Sequence, residues 1–131
     1  MRDYLADTSI FIAAERGREL GDAPPGKARI SVATLMELNL GVRSAADPPT
    51  RQLREATLSR ARNFVAIPYD EAVAEELAAL VHAVRGRRRR APAEDAIIAA
   101  TALVHDLAVW TRDDDFELLA ELEPRLEVHR G

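Results

Sequence analysis

The sequence predicts a three-layer α/β domain with a mainly parallel five-stranded sheet, and two observations indicate it. Short apolar segments typical of buried strands alternate along the chain with longer segments of helical periodicity. The stretches between successive strands are long enough to hold a helix, which is the crossover that parallel strand pairs need. The chain has 131 residues, 47% of them apolar, which suits one hydrophobic core. We therefore expect a single domain over residues 1–131.

The first half of the chain contains two predicted strands and three predicted helices. The polar residues 7–9 can cap the first helix, and Pro48 can start the third. In the second helix, Leu35, Leu38 and Val42 repeat at helical spacing. In chain order we predict a strand at 4–6, a helix at 10–14, a loop rich in glycine and proline at 17–27, a strand at 28–32, and helices at 33–44 and 48–64.

The second half contains three further strands and three further helices. The helix after residue 70 begins with acids and ends with a base, as the helix dipole favours, and Pro92 lies near the start of the next helix. In chain order we predict a strand at 65–68, helices at 70–85 and 91–107, a strand at 107–111, a helix at 115–123 and a strand at 125–129.

Composition excludes several classes of protein. The chain has no cysteine, so that neither a disulfide scaffold nor a thiolate zinc site is possible. No apolar run approaches the ~20 residues of a membrane span, and the N-terminus has acids where a signal peptide has a basic start. We expect a soluble, unprocessed cytoplasmic protein that does not enter a membrane.

The basic residues are unevenly placed. A formal net charge of -4 argues against a general nucleic-acid binder, because phosphate contacts demand a basic surface. Five arginines nevertheless fall within residues 85–90, where Arg87, Arg88, Arg89 and Arg90 stand in succession. This run is consistent with a solvated loop between two helices, and also with a phosphate guide for a substrate such as RNA. The sequence leaves both interpretations open.

Four acids adjoin the edge where a parallel sheet collects its functional groups. Asp7 follows the first predicted strand and Asp113 follows the fourth. Glu37 lies one turn into the helix after the second strand, and Asp95 lies in the first turn of the helix before the fourth. If the first and fourth strands are neighbours, Asp7 and Asp113 face each other across one crevice, with Glu37 and Asp95 at its rim.

Four carboxylates in one small space repel one another unless a cation is bound. Oxygen ligands without His or Cys favour Mg²⁺ or Mn²⁺ over zinc. Such a cation, with a metal-bound water as the attacking group, suits the hydrolysis of phosphodiesters. The sequence therefore predicts a catalytic metal site to which Asp7, Glu37, Asp95 and Asp113 all contribute as ligands.

Each acid also has a purely structural interpretation. Asp7 can be a helix N-cap, and Asp95 can be a first-turn acid that complements the helix dipole. Glu37 lies among apolar residues, where a charge is costly unless it is paired, coordinated or turned to solvent. The three aspartates at 113–115 can all be cap and first-turn residues of the next helix. For Asp114 and Asp115, which fall where that helix begins, its N-terminus accounts for them without a catalytic role.

Two competing motifs fail on their context. Residues 21–28, GDAPPGKA, approach the phosphate-binding loop G-x-x-x-x-G-K-[ST], but Ala28 replaces the hydroxyl and the loop leads into a strand instead of a helix. A phospho-receiver domain needs a lysine after a late strand, and the only lysine is Lys27.

Four segments of the sequence, taken in order, resemble the PIN-domain ribonucleases, and most nearly the VapC-type toxins of bacterial toxin–antitoxin pairs. The segments are LADTSIFIA, ATLMELNLGV, EDAIIAATALVHDLAVWT and RDDDF, and the resemblance covers the whole chain. It implies a parallel sheet with the strand order 3-2-1-4-5 and assigns the family's four acids to Asp7, Glu37, Asp95 and Asp113.

The resemblance also implies supporting residues and partners. Thr8 (or Ser9) and Thr111 match hydroxyls that support the acids, and Asn39 is a weaker match to a polar residue near the second acid. The implied function is a Mg²⁺- or Mn²⁺-dependent endoribonuclease, with RNA as substrate, a VapB-type antitoxin covering the crevice, and a homodimer as the working unit. The helices at 33–43 and 48–63 offer apolar surface for a partner. The alternative is a catalytically silent PIN-like module that binds RNA or protein.

Overall fold

Among residues 2–131, which the computed structural model describes, five strands form one sheet. The strands are β1 Tyr4–Ala6, β2 Ala28–Ser31, β3 Ala66–Ile67, β4 Ala108–Thr111 and β5 Val128–Arg130. Every pairing is parallel and the order is β3-β2-β1-β4-β5. The predicted α/β class and the strand order implied by the family resemblance are confirmed.

Helices cover both faces of the sheet. In the described part of the chain they are α1 Thr8–Glu15, α2 Val32–Arg43, α3 Pro48–Ala61, α4 Glu71–Gly86, α5 Ala93–Val104 and α6 Asp115–Leu122. Helices α1 to α3 pack on one face and α4 to α6 on the other, which gives the three layers. None of the helices within residues 2–131 has the length and apolar content that a bilayer crossing requires.

The side chains of the central strands alternate between two cores. Tyr4 and Ala6 point to the core that α1, α2 and α3 close, together with Phe11. Leu5 and Val109 point to the core that α4, α5 and α6 close. Because both faces of a parallel sheet are covered in this way, its strands are apolar on both sides, which is the pattern that predicted them.

The register sets the carboxyl ends of β1 and β4 side by side. Ala6 pairs with Trp110, and the Asp7 amide donates to the Trp110 carbonyl at 2.9 Å. Helix α1 begins directly after β1, and α6 begins shortly after β4. Residues 7–9 and 111–115 therefore meet at one edge of the sheet, as the crevice hypothesis requires.

Two edge strands differ from their predicted bounds. The sequence pattern predicts the last strand at 125–129, but the Leu126 amide closes a turn onto the Glu123 carbonyl, and β5 begins only at Val128. Leu126 is buried, so its apolar character reflects packing, not strand pairing. β3 keeps only two of the four residues predicted at 65–68, and Val65 lies exposed outside it.

The fifth helix is shorter than the segment predicted at 91–107. It begins after Pro92 and ends where Asp106 takes a left-handed conformation with φ 53°. The Leu107 amide donates to the Ala102 carbonyl across that turn, which closes the helix before β4.

Candidate active site

Three of the four predicted acids converge at the carboxyl edge of the sheet. Asp7 follows β1, Asp113 follows β4, and Asp95 projects from the first turn of α5. One carboxylate oxygen of each lies within 4.8 Å of the other two. Asp7 and Asp95 are buried and Asp113 is half-buried. Three acids thus share a small, largely desolvated space.

Asp7 is a helix N-cap and also one of the three clustered acids. It is the N-cap of α1, where its Oδ2 accepts a hydrogen bond from the Ser9 amide at 3.4 Å. The same oxygen accepts from the Ser9 hydroxyl at 2.7 Å and the Thr111 hydroxyl at 2.8 Å. In the described part of the chain, all these hydrogen bonds fall on Oδ2, which leaves Oδ1 available to a ligand.

Burial raises the pKa of Asp7, while the hydrogen bonds from Ser9 and Thr111 oppose that rise. A buried carboxylate with three donors on one oxygen is held in a fixed rotamer and is partly stabilised in its charged form. A cation on the other oxygen would complete that stabilisation.

The Thr111 hydroxyl connects two acids through a buried position. It donates to Asp7 Oδ2 and accepts a hydrogen bond from the Asp113 amide at 2.9 Å. Its oxygen also lies 3.2 Å from the Ser9 hydroxyl, which accepts from the Arg112 amide at 2.9 Å. These contacts join the start of α1 to the end of β4 and fix the distance between Asp7 and Asp113.

Asp95 has the most strongly perturbed ionisation in the site. Desolvation is the main cause, followed by a hydrogen bond with Asp113 and the charges of Asp7, Asp113 and Asp115, and together they raise the pKa of Asp95 to about 9. Its Oδ2 is buried, and no donor within residues 2–131 reaches it. Buried polar atoms are rarely left without a partner, so this oxygen marks a place for a ligand with positive charge.

Glu37 lies at the border of the cluster. It is half-buried on α2, and its Oε1 accepts a hydrogen bond from the Thr8 hydroxyl at 2.7 Å. Burial raises the pKa of Glu37, the Thr8 hydrogen bond lowers it, and the nearby charges of Asp7, Glu94 and Asp113 raise it further. The group of mutually close carboxylates found in the described residues does not include Glu37. The charges of the other acids affect its pKa, but Glu37 is not part of the cluster.

The three consecutive aspartates occupy three different environments. Asp113 Oδ1 accepts from the Asp115 amide at 2.9 Å, so Asp113 supports the start of α6 as well as facing Asp7 and Asp95. Asp114 pairs with Arg130 at 2.6 Å. Asp115 is exposed, and slight desolvation and the charges of Asp113 and Asp114 raise its pKa.

The supporting residues predicted from the sequence differ in which acid they contact. Thr8 and Ser9 serve two acids, since Thr8 contacts Glu37 and Ser9 contacts Asp7. The sequence pattern treated these two hydroxyls as alternatives. Asn39 is half-buried two residues after Glu37, so its side chain leaves α2 about 200° around the helix from that acid. Among residues 2–131, no hydrogen bond joins the Asn39 side chain to any of these acids.

Several arginines lie near this edge or beyond it. Asp113 shares a cleft of about 600 Å³ with Arg16 and Arg18, which no sequence motif marks. Arg112 is fixed instead, because its guanidinium donates to the Glu19 carbonyl at 2.7 Å. The arginine run at 87–90 lies in the connection between α4 and α5 and does not line the cleft that contains Asp113.

The family model for the PIN domain matches residues 4–122, which include all four predicted acids. The chain belongs to the PIN-domain family. The resemblance recognised in its sequence motifs is thereby confirmed, and the acids occupy the carboxyl edge of a PIN-domain sheet.

Relatives of this PIN domain include ribonucleases of one type. The chain is 40% identical to Ribonuclease VapC4 of Mycobacterium tuberculosis over 124 residues, 94% of this chain and 95% of that protein. It is 47% identical to Ribonuclease VapC8 of the same species over 100 residues, 75% of this chain and 88% of that protein. These values place the chain among the VapC-type PIN domains.

A solved structure shows the same fold. It is that of VapBC-5 from Mycobacterium tuberculosis, a member of the VapBC family of toxin–antitoxin systems. The match has a TM-score of 0.84 and 34% identity, and it covers 99% of this chain and 98% of the other.

Proposed function

We propose that this chain is a Mg²⁺- or Mn²⁺-dependent endoribonuclease and the toxin of a toxin–antitoxin pair. The observation that carries the proposal is the convergence of Asp7, Asp95 and Asp113 within 4.8 Å of one another at the edge of a PIN-domain sheet. The ribonuclease names of the VapC relatives support RNA as the substrate. The strand β5 completes the same sheet beyond the matched residues 4–122, which supports one domain over residues 1–131.

The residues present fit a divalent cation. The unpartnered Asp95 Oδ2 and the three carboxylates provide hard oxygen ligands for it, without His or Cys. We assign Asp7, Asp95 and Asp113 to direct contact with the cation. When bound, a divalent cation supplies positive charge that stabilises the attacked phosphate and lowers the pKa of a water molecule.

Hydroxyl groups of the chain hold the acids in position. Ser9 and Thr111 hold Asp7 in place through Oδ2, and Thr111 also holds the Asp113 backbone. Thr8 holds Glu37 at the border of the cluster. We assign to Glu37 the role of accepting the proton of the attacking water. The water oxygen attacks the phosphorus, the bond from phosphorus to one ribose oxygen breaks, and that oxygen leaves as a hydroxyl after it takes up a proton from solvent.

The partner part of the proposal rests on an exposed apolar surface next to the acids. Met36 and Leu40 of α2 flank Glu37 in the sequence and are 47% and 57% exposed, and Leu53 of α3 is 49% exposed. We infer that a VapB-type antitoxin docks on this surface and covers the acidic crevice. We retain a homodimer as the working unit, on the family resemblance, and the cytoplasm as its location, because RNA is the substrate.

A cleavage assay on the full chain tests the proposal. With a labelled RNA, we expect internal cleavage that requires Mg²⁺ or Mn²⁺, disappears with EDTA, and is lost in Asp7→Asn and Asp95→Asn. Circular dichroism should show that both variants remain folded. Cleavage by both variants would contradict the assignment of Asp7 and Asp95 to the active site. RNA binding without any cleavage by the wild type would favour the catalytically silent module.

A further inference from the structure

A groove with an apolar floor and an arginine rim lies between the end of α4 and the start of α5. Its volume is about 670 Å³. Val81, Val84 and Ile97 contribute to the floor, and Arg85 and the arginines at 88–90 contribute to the rim. No acid is among its lining residues. On a chain of net charge -4, this is a concentrated positive site.

The rim arginines are available to an external anion. Arg87, which does not line the groove, is 3.8 Å from Glu121. Within residues 2–131, Arg85 and the arginines at 88–90 form no ion pair with an acid of the chain. Four guanidinium groups therefore border one groove without a carboxylate to neutralise them.

The backbone at Arg88 is strained in a way that glycine would relieve. Its φ is 54°, in the left-handed region, where a residue with a Cβ costs about 1–2 kcal/mol. The Arg88 amide donates to the Arg85 carbonyl and the Arg89 amide to the Val84 carbonyl, the two bonds of a helix-ending motif that favours glycine. At the end of α1, the same motif is made with Gly17 at φ 67°.

An arginine at this position is thus kept at a cost in stability. Strained residues of this kind are concentrated where a side chain serves binding or catalysis. The groove supplies the reason here, because the Arg88 side chain lines it.

We propose that this groove holds a segment of the RNA strand outside the cleaved phosphodiester, with the arginines on its phosphates and a base against the apolar floor. This inference rests on the proposed ribonuclease function. It names a substrate-binding site that is separate from the acid cluster. Single-stranded RNA is bound in this manner elsewhere, through stacked bases and guanidinium groups beside a positively charged path.

The groove is close enough to the acids to share one strand with them. Ala93 and Ala96 line the groove, while Asp95, in the same helical turn, faces the acids. The two sites therefore lie on opposite sides of the first turn of α5, a distance of about one helix diameter, ~10 Å. A strand that leaves the acids around the N-terminus of α5 enters the groove.

The test is RNA binding by the full chain in EDTA, where metal-dependent cleavage does not occur. The probe is a fluorescent single-stranded RNA of mixed sequence, titrated at several salt concentrations. For Arg88→Gly we expect a melting temperature higher by about 3 °C, because the strain is relieved. We also expect several-fold weaker binding and a salt slope shallower by about 0.7, the value for one lost phosphate contact on a single strand.

A matched control is Asp106→Gly. Asp106 ends α5 with the same left-handed conformation, φ 53°, and lies beside Arg2, away from the groove. This variant should melt at the same or a slightly higher temperature and bind RNA as the wild type does. A merely structural role for Arg88 predicts the same result for both variants.

Three outcomes would overturn the inference. One is unchanged RNA affinity and salt slope in Arg88→Gly and in Arg89→Gln/Arg90→Gln. Another is wild-type protein that does not bind the probe. The third is that these variants differ from the wild type in oligomeric state, measured by gel filtration. That result would indicate that the groove is an interface between copies of the chain. Failure of metal-dependent cleavage with normal groove-dependent binding would instead contradict the proposed function alone.

Discussion

At the scale of one residue, Asp95 is the acid of the cluster whose ionisation the fold changes most. Its pKa of about 9 means that, without a cation, the folded protein keeps the Asp95 carboxyl protonated at neutral pH. An unfolded chain releases that proton near the ordinary value of 3.8. The folded state therefore binds one more proton than the unfolded state between about pH 4 and 9.

The sign of this difference gives a first prediction. In EDTA, the stabilising effect of the raised pKa is present below pH 3.8 and is lost as the pH rises towards about 9. The free energy of unfolding should fall with pH by at most about 1.4 kcal/mol per unit from this group. Asp95→Asn should remove that dependence, so that the variant gains stability relative to wild type at higher pH.

Urea unfolding in EDTA at a series of pH values measures this effect. Asp22→Asn is the control, because Asp22 is exposed in the loop before β2. An Asp95→Asn curve parallel to that of the wild type would show that Asp95 is not protonated in the folded protein.

Asp113 and Asp115 provide a second prediction. Asp113→Asn should lower RNA cleavage by about 100-fold or more, since it weakens the contact with the cation. The Asn carbonyl can still accept the Asp115 amide, so the start of α6 should survive. Asp115→Asn should change cleavage little, because its exposed side chain projects from α6 and is not one of the three clustered acids.

Cleavage rates of the two variants under saturating Mg²⁺ decide this point, with melting temperatures as the control for folding. Equal losses of activity would assign a catalytic role to Asp115 as well, and the opposite order would reverse the assignment of the two acids.

At the scale of elements, the hydroxyls at residues 8, 9 and 111 connect α1, α2 and β4. Thr111 matters most, because its buried oxygen contacts both Asp7 and the Asp113 amide. We predict that Thr111→Val, which keeps the shape of the side chain, lowers the free energy of unfolding by about 1–3 kcal/mol. It should also weaken Mn²⁺ binding by about 10–100-fold, because the acids lose their orientation.

Thr101→Val is the matched control for this substitution. Thr101 is equally buried, and its hydroxyl donates to the Ile97 carbonyl within α5. Calorimetric titration with Mn²⁺ should separate the two variants. If both bind Mn²⁺ like the wild type, the hydroxyl of Thr111 serves folding alone.

The sequence predicted the elements better than their contacts. Asp7, Asp95 and Asp113 could be placed because each lies at a fixed position relative to a strand with a strong apolar pattern. The sequence could not predict that Thr8 contacts Glu37 while Ser9 contacts Asp7, because these contacts depend on the orientation of α1 relative to α2. The turn at Glu123 that delays β5 was also invisible, because Leu126 is apolar for packing reasons.

At the scale of the whole molecule, the exposed apolar surface of α2 and α3 leads to a prediction about the partner. The combined change Leu40→Ser/Leu53→Ser should weaken capture of the antitoxin encoded by the neighbouring upstream gene and leave RNA cleavage by the free chain intact. Val65→Ser is the control, because Val65 is 68% exposed but precedes β3, outside that surface.

Copurification of tagged variants with the coexpressed partner gives the measurement. Undiminished capture by the double variant would place the antitoxin on another surface. Loss of capture in Val65→Ser as well would indicate a general effect on the fold.

We predict that RNA cleavage depends on a cation held by the clustered acids. The measurement is the rate of internal cleavage of a labelled RNA against Mn²⁺ concentration for wild type, Asp95→Asn and Asp115→Asn. We expect cleavage by wild type and Asp115→Asn to rise with Mn²⁺ and to vanish in EDTA, and cleavage by folded Asp95→Asn to be absent. Cleavage in EDTA, or equal rates for all three proteins, would contradict the account.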